Sequence, residues 1–134
     1  MFREISPPQA FAEISETKDA VLIDCRTPSE WKYTGMPDLS PIGKKVALIS
    51  LVDEAGRPNP QFIDSVNEIA SADTPLYLLC RIGGRSANAC NMLSQAGFSG
   101  LTNIIEGFEG RADESGHRNT IEGWKHHQLP WHQS

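Results

Sequence analysis

The chain is 134 residues long and carries 12 Lys and Arg against 17 Asp and Glu, a formal net charge of −5. An acidic chain without a basic run is a poor candidate for binding nucleic acid or an anionic membrane surface. With 39% hydrophobic residues it does not resemble a disordered protein, and no apolar stretch approaches the ~20 residues that a membrane span needs. The length suits one domain, residues 1–134, with a core large enough to be stable without disulfides or metal ions.

The first residues and the cysteines bear on the cellular compartment. The segment MFREISPPQAF has no basic stretch followed by an apolar one, so it does not resemble a secretory signal peptide. Three cysteines are an odd number and show no paired spacing, which argues against a disulfide framework. These features predict a cytoplasmic protein.

The predicted elements begin as an alternation of helices and short apolar runs. Ser6 followed by Pro7 is typical of a helix start. Residues 20–24, AVLID, are an apolar run of the kind expected for a buried parallel strand. Residues 27–30, TPSE, form a capping box with proline at the first helical position. A second apolar run, residues 46–51, VALISL, predicts another strand.

The second half of the chain continues this alternation. Asn59-Pro60 predicts a further helix start, and residues 76–79, LYLL, predict a third strand. Another helix follows and ends near Gly97, and residues 101–105, LTNII, predict the last strand. This rhythm predicts an α/β domain with a mostly parallel sheet. Residues 110–134 are polar and irregular, and we expect this carboxyl-terminal extension to pack over one edge of the core.

A cysteine ends the third apolar run, in the segment LLCRIGGRSA, residues 78–87. Ligands of open α/β sheets bind at the carboxyl ends of strands, which is where Cys80 is predicted to lie. The following helix directs free N–H groups at the loop, and Gly83 and Gly84 let the backbone curl so that these groups converge. Arg81 and Arg85 add positive charge. Although a lone cysteine is usually an inert core residue, these groups would stabilise a thiolate, so Cys80 is the predicted nucleophile.

The loop and three further segments resemble one family. The sequence CRIGGRS, residues 80–86, resembles the active-site loop of rhodaneses, single-domain sulfurtransferases with a pattern close to C-R-x-G-x-R-S. Residues 22–31, LIDCRTPSEW, resemble the family segment L-I-D-V-R-x-x-x-E-[WFY]. Residues 96–107, AGFSGLTNIIEG, are similar to A-G-F-x-x-V-x-x-L-x-G-G, and residues 123–131, GWKHHQLPW, resemble the ending G-W-x-x-x-G-L-P. The likeness implies a rhodanese fold, a small parallel sheet with helices on both faces.

The resemblance also implies transfer of sulfane sulfur without a cofactor. Cys80 would take sulfur from a donor such as thiosulfate and become a persulfide, and an acceptor such as cyanide, a thiol or another protein would remove it. Backbone N–H groups of residues 81–86 would hold the persulfide. The substrate-binding set that the resemblance implies is Arg81, Ile82, Gly83, Gly84, Arg85 and Ser86.

Individual roles follow from the same likeness. Arg81 would position the donor, Arg85 would brace the loop or the bound anion, and Ser86 would cap the following helix or donate to sulfur. Asp24 and Arg26 match the family's D-x-R, and they would fix the neighbour of the loop and supply charge near the rim.

Two segments depart from the family pattern. Residues 35–45, GMPDLSPIGKK, stand where the family has G-H-I-P-G-A, without its histidine and second glycine, so we expect a different path. Residues 106–110, EGFEG, replace a simpler Gly-Gly ending. The loops at residues 35–45 and 106–118 would border the pocket, so they bear on substrate preference.

Two other functions remain open. Cysteine phosphatases and arsenate reductases use a similar cradle, typically with the spacing C-x5-R, whereas four residues separate Cys80 from Arg85. A non-enzymatic persulfide carrier or regulatory module would keep the fold for docking. The intact Cys80 and both loop arginines argue against a degenerate module, but they do not exclude a carrier.

Several other side chains have plain interpretations. Cys25 could resolve a persulfide on Cys80 as a disulfide, although a small strand residue is the more common role, and Cys90 is interpreted as helix packing. The histidines match no zinc pattern, so no metal site is predicted. Three acids in the last third of the chain are interpreted as solvated surface groups: Glu106, Glu109 and Asp113.

Overall fold

The computed structural model describes residues 1–133. In chain order its strands and helices are β1 (Arg3–Ile5), α1 (Pro7–Glu16), β2 (Val21–Asp24), α2 (Pro28–Thr34), β3 (Met36–Pro37), β4 (Ala47–Leu48), α3 (Phe62–Asn67), β5 (Leu76–Leu79), α4 (Gly84–Gln95), β6 (Leu101–Ile104) and β7 (Trp131–His132). A short 3-10 turn, Ser40–Ile42, lies between β3 and β4.

Five strands form a parallel sheet in the order β1-β6-β5-β2-β4. The central strand β5 pairs with β2 in register from Val21 opposite Leu76 to Asp24 opposite Leu79, and with β6 on its other side. Strands β3 and β7 form a separate antiparallel pair. The predicted α/β fold with a mostly parallel sheet is therefore confirmed.

Side chains of the strands alternate between two core layers. Leu76 and Leu78 of β5 pack on one face with buried side chains of α3 and α4. Tyr77 and Leu79 pack on the other face with α1 and with Trp124. Because successive side chains of a strand point to opposite faces, the continuous apolar run of β5 is what a strand covered on both sides requires.

Two helices begin at the residues that the sequence indicates. The Ser6 hydroxyl accepts a hydrogen bond from the backbone N–H of Gln9, in the first turn of α1. At α2 the predicted capping box is present: the Glu30 N–H donates to Thr27 Oγ1 at 3.4 Å, and the Thr27 N–H donates to Glu30 Oε1 at 3.1 Å. Proline stands in the first turn of both helices, where a missing N–H costs nothing.

The apolar run at residues 46–51 forms a shorter strand than predicted. Only Ala47–Leu48 pairs as β4. Beyond it the chain bends around the end of β2, with the Leu51 N–H donating to the Cys25 carbonyl, and then enters a hairpin closed by a bridge between Val52 and Pro58. Because the chain turns over the end of the sheet at this point, only part of the apolar run can pair as an edge strand.

The predicted helix start at residues 59–60 is displaced. The helix α3 begins at Phe62, because the Asn59 side chain accepts a hydrogen bond from the Gln61 N–H at 3.0 Å and forms a turn ahead of it. Three very short strands, β1, β3 and β7, were not predicted.

The carboxyl-terminal residues 110–133 run through turns before β7. Trp124 is fully buried in the layer that contains α1, and its indole N–H donates to the Pro130 carbonyl at 2.7 Å. This residue anchors the segment, because a buried indole needs both apolar neighbours and a hydrogen-bond acceptor.

Within residues 1–133, no helix has both the length and the apolar composition for crossing a membrane.

Candidate active site

Cys80 follows β5 at the carboxyl edge of the sheet, with 1% of its surface exposed. Three polar groups surround its sulfur: the Gly83 N–H at 3.1 Å, the Ser86 N–H at 3.3 Å and the Ser86 hydroxyl at 3.2 Å. Gly83 has φ +111°, a left-handed conformation that favours glycine, and this turn directs its N–H at the sulfur. The loop therefore concentrates polar contacts on one sulfur atom, an arrangement that stabilises negative charge there.

The remaining loop residues take distinct positions. Gly84 starts α4, and Ile82 is 50% exposed on the outside of the loop. Gly83 is the N-cap of α4 and has no side chain that could cap the helix. The Ser86 hydroxyl donates to the Gly83 carbonyl at 3.2 Å, whereas a cap would accept a free N–H, so Ser86 does not cap the helix. Of the two roles expected for Ser86, the structure supports the contact with sulfur.

Arg85 binds a neighbouring helix through its guanidinium. Its two terminal nitrogens donate to the Glu30 carboxylate at 2.6 and 2.8 Å. Burial alone would raise the pKa of Glu30, but the hydrogen bonds from Arg85 and from the Thr27 N–H outweigh it and hold that pKa below its ordinary value. The hydrogen bond to Glu30 raises the pKa of Arg85 in turn. Arg85 therefore braces the loop against the capping box of α2.

Arg81 is associated with an acid that the sequence analysis placed on the surface. Its Nε lies 3.3 Å from Glu109 Oε2; the Arg81 side chain is 44% exposed and the Glu109 side chain only 8%. The N–H groups of Glu109 and Gly110 donate to the Arg81 carbonyl, and the Phe108 N–H donates to the Cys80 carbonyl at 2.8 Å. The interpretation of Glu109 as a solvated acid was wrong, since residues 106–110 are bound directly to the cysteine loop.

Gly107 permits the close approach of this segment. A Cβ at this position would lie 2.5 Å from the Cys80 and Arg81 carbonyl oxygens, and the residue has φ +68°. The preceding Glu106 also has a positive φ, and its carboxylate accepts from the Gly123 N–H at 2.9 Å and lies 2.8 Å from His127 Nε2. Residues 106–110 thus connect the carboxyl-terminal segment to the Cys80 loop.

Asp24 and Arg26 form a buried ion pair. Both side chains are fully buried, with 2.8 Å between Arg26 Nη2 and Asp24 Oδ2. The guanidinium also donates to Thr34 Oγ1 and to the Gly35 carbonyl, and it lies 4.2 Å above the Phe108 ring. The expectation that this pair supplies charge near the rim was therefore wrong, because both charges are fully buried. A buried charge needs a complete set of partners, and this pair has one. The pair instead supports Phe108, which binds the Cys80 carbonyl.

The segment at residues 35–45 leaves this end of the sheet. It starts at Gly35, beside Arg26, but its Lys44 ammonium donates to the Ile14, Thr17 and Ala20 carbonyls at 2.8, 2.5 and 3.2 Å. Ala20 directly precedes β2, whereas Cys80 follows β5, and the two strands are parallel. Lys44 therefore lies at the opposite end of the sheet from Cys80.

The other two cysteines are fully buried and free. Burial, with the nearby Cys80 and Asp24, raises the pKa of Cys25 well above its ordinary value. Burial also raises the pKa of Cys90 to about 12. Both side chains are therefore neutral thiols near pH 7.

One residue beside the sulfur was not identified from the sequence. Asn103 of β6 is 1% exposed; its amide nitrogen donates to the Gly83 carbonyl at 3.2 Å, and its oxygen accepts from the Ser86 hydroxyl at 2.5 Å. The available signal was a single amide in the apolar run LTNII, because a polar side chain in a buried strand needs partners.

Comparison with known proteins agrees with this geometry. A family model described as the STR4 middle domain matches residues 2–134. The chain belongs to the rhodanese-like family. This membership confirms the resemblance seen in CRIGGRS and its companion segments.

Several relatives of this rhodanese-like chain cover nearly its whole length. It is 33% identical over 131 residues to the uncharacterized protein RP600 of Rickettsia prowazekii, covering 98% of each chain. It is 26% identical over 130 residues to a sulfurtransferase of Allochromatium vinosum, covering 97% of this chain and 94% of that protein. The crystal structure of Rv0390 from M. tuberculosis superposes with a TM-score of 0.93 at 35% identity, covering 100% of both chains.

Proposed function

We propose that this rhodanese-like protein transfers sulfane sulfur through a persulfide on Cys80. In the first stage the Cys80 thiolate attacks the outer sulfur of a donor such as thiosulfate; a new S–S bond forms, the donor S–S bond breaks, and sulfite leaves with the electron pair. In the second stage cyanide or a thiolate attacks the outer sulfur of the persulfide, and Cys80 departs as a thiolate. Each stage forms one bond to sulfur and breaks one, so the electron balance requires no cofactor.

The observation that carries this proposal is the convergence of polar groups on Cys80 Sγ. Two N–H groups, from Gly83 and Ser86, donate to the sulfur at 3.1 and 3.3 Å, and the Ser86 hydroxyl lies 3.2 Å away. The sulfur also faces the first turn of the twelve-residue helix α4, whose positive end favours an anion. A thiolate carries its negative charge at this sulfur, and a persulfide would carry it on the outer sulfur, one S–S bond away.

The depth of the sulfur bears on the size of the reactants. Cys80 is 1% exposed, beneath a loop on which Ile82 is half exposed. A donor or acceptor that presents its reacting atom at a narrow end, such as thiosulfate, cyanide or an extended thiol, suits this access. A protein acceptor would therefore present a cysteine from a flexible segment.

Intact mass spectrometry tests the proposal directly. The protein treated with thiosulfate should gain the mass of one sulfur atom, and cyanide should remove it with formation of thiocyanate. Dithiothreitol should also remove it, which separates a persulfide from other adducts. Cys80→Ser should show no gain. If the wild-type protein gains no sulfur from thiosulfate or from an organic persulfide, the proposal is wrong.

The same measurements separate the two alternative functions. A phosphatase of this type needs its loop arginine free to bind phosphate oxygens, but Arg85 donates both terminal nitrogens to Glu30, so p-nitrophenyl phosphate should not be hydrolysed. A carrier would form the persulfide but would not release thiocyanate over repeated turnovers. Robust phosphatase activity that depends on Cys80 would overturn the preference for sulfur.

A further inference from the structure

The single proton of the Ser86 hydroxyl has three acceptors within reach. They are Asn103 Oδ1 at 2.5 Å, the Gly83 carbonyl at 3.2 Å and Cys80 Sγ at 3.2 Å. A hydroxyl donates one hydrogen bond at a time, so these acceptors compete. Ser86 is fully buried and Asn103 is 1% exposed, so bulk water does not compete with these acceptors for the Ser86 proton.

The orientation of the Asn103 amide is determined by its other contacts. One of its sides lies 3.2 Å from the Gly83 carbonyl and 3.0 Å from the Glu4 carboxylate. Both of these groups only accept hydrogen bonds, so the amide nitrogen must face them. The amide oxygen must then face Ser86, where it can only accept. Asn103 therefore draws the Ser86 proton away from the sulfur.

We propose that Asn103 is a positioning residue that acts on Cys80 by competing with its sulfur for the Ser86 proton. This inference rests on Cys80 being the reactive sulfur. When Cys80 is a thiol, its S–H donates to the Ser86 oxygen and the Ser86 hydroxyl donates to Asn103. When the sulfur is an anion, the Ser86 hydroxyl leaves Asn103 and donates to sulfur, while the Asn103 oxygen loses that bond. No proton is transferred between residues in this rotation.

The competition means that the Ser86 hydroxyl must give up its bond to Asn103 before it can donate to an anionic sulfur. A hydrogen bond to a charged sulfur is stronger than one to a neutral acceptor, so the rotation occurs once the anion forms. Part of that gain is offset by the lost contact with Asn103. The pair Ser86 and Asn103 thus reduces the reactivity of the free cysteine while keeping a donor available for the anionic state.

The rate of Cys80 alkylation by iodoacetamide at pH 7, followed by peptide mass spectrometry, tests this proposal without any sulfur donor. Asn103→Leu removes the competing acceptor, so alkylation should accelerate by about tenfold, the size expected for a hydrogen bond redirected to a charge. Asn103→Asp keeps the acceptor and adds negative charge, so alkylation should slow. A merely structural role for Asn103 would change both rates in the same direction.

The Ser86→Ala background supplies the control. There the accelerating effect of Asn103→Leu should vanish, because no hydroxyl remains to be redirected, and the coupling is measured as a double-mutant cycle. A persistent acceleration in Ser86→Ala, or slower alkylation in Asn103→Leu with an unchanged circular dichroism spectrum, would overturn the proposal. If the Leu variant does not fold, Asn103→Ala, which also removes the competing acceptor, decides: an unchanged or slower rate overturns the proposal. Failure of sulfur transfer would affect only the proposed function, since alkylation requires the cysteine alone.

Discussion

Arg85 and Glu30 join α4 to α2 by two parallel hydrogen bonds of 2.6 and 2.8 Å. The same carboxylate accepts the N–H of Thr27 and completes the capping box of α2. One acid therefore stabilises a helix start and holds the first turn of the helix whose N–H groups face Cys80.

Glu30→Gln should lower both thermal stability and sulfur transfer. The amide cannot accept both nitrogens of Arg85, so a partly buried charge loses a partner, at a cost of about 1–3 kcal/mol. Thermal unfolding and thiocyanate formation measure the two effects. The matched control is Glu54→Gln, which alters an acid bound to Ser29 at the same helix start but not to α4. Equal losses in the two variants would contradict a specific role for the pair.

Replacement of each cysteine should separate the reactive one from the packing ones. Cys80→Ser should abolish sulfur loading, because the hydroxyl is not ionised near neutral pH. Cys25→Ser and Cys90→Ser should retain most activity, since burial raises the pKa of both thiols and keeps them neutral. The readouts are intact mass after thiosulfate and thiocyanate release. A Cys25–Cys80 disulfide in the thiosulfate-treated wild-type protein, with longer retention of the added sulfur in Cys25→Ser, would instead support the resolving role for Cys25.

Glu109→Gln should improve the use of thiosulfate. Glu109 neutralises Arg81, which is the more exposed of the two loop arginines, with 44% of its side chain exposed against 29% for Arg85. Freeing this charge should lower the KM for the dianion by up to about fivefold, the range of a partly exposed ion pair, with kcat nearly unchanged. The gain should shrink at high salt. The control, Glu114→Gln, removes an exposed acid and should leave KM unchanged; an equal gain there would mean that overall charge is responsible.

Gly83→Ala and Gly84→Ala should differ sharply. Gly83 has φ +111°, so a Cβ strains the turn that directs its N–H at the sulfur, and sulfur transfer should fall at least tenfold. Gly84 lies in the first turn of α4 and has no neighbour within 4 Å of an added Cβ. Alanine there should be tolerated and should add about 0.5–1 kcal/mol to stability. Initial rates and chemical denaturation of both variants make the comparison, and equal activity would contradict the cradle geometry.

Tyr77 and Glu13 should make stability depend on pH at both extremes. The Tyr77 hydroxyl donates to Glu13 at 2.7 Å; burial, followed by this bond, raises the pKa of Tyr77 to about 12, and the hydrogen bond from Arg3 lowers the pKa of Glu13 to about 2. The raised Tyr77 pKa contributes stability below about pH 10 that is lost as pH rises toward 12.

Glu13 behaves in the opposite sense. Its lowered pKa contributes stability above about pH 4.5 that is lost as pH falls toward 2. Urea unfolding across pH measures both effects. Tyr77→Phe should flatten the alkaline limb, and Glu13→Gln should flatten the acid limb. If both limbs are unchanged in the two variants, this contact does not control them.

Local sequence signals anticipated the sheet and the helix starts for physical reasons. The run LYLL became a strand buried on both faces, and TPSE formed its capping box, since both depend on a few adjacent residues. The run at residues 46–51 misled because its course is set by the Cys25 carbonyl, a tertiary partner. Strands of two or three residues carry no periodicity, so β1, β3 and β7 gave no signal.

The candidate site shows the same contrast between features set by adjacent residues and features set by tertiary contacts. Cys80, Gly83 and Ser86 could be identified because the chemistry of the loop lies in consecutive residues. The partners of its arginines could not be identified in this way. In the sequence Glu109 looks like any surface acid, and only the folded chain shows that it is buried. Asn103 likewise acquires its role from the strand order that brings β6 beside β5. Sequence reasoning therefore finds the proposed reacting atom more readily than the groups that contact it.

The backbone bonds from Phe108, Glu109 and Gly110 to the Cys80 loop also have a consequence for biosynthesis. A nascent chain on the ribosome presents Cys80 well before these residues have emerged, and its first strand, β1, must wait for β6. During this interval the thiol lacks its enclosure and is open to oxidants and stray electrophiles. Enclosure of the cysteine is therefore acquired late in translation, and premature termination before residue 108 would leave a chain with an unshielded thiol.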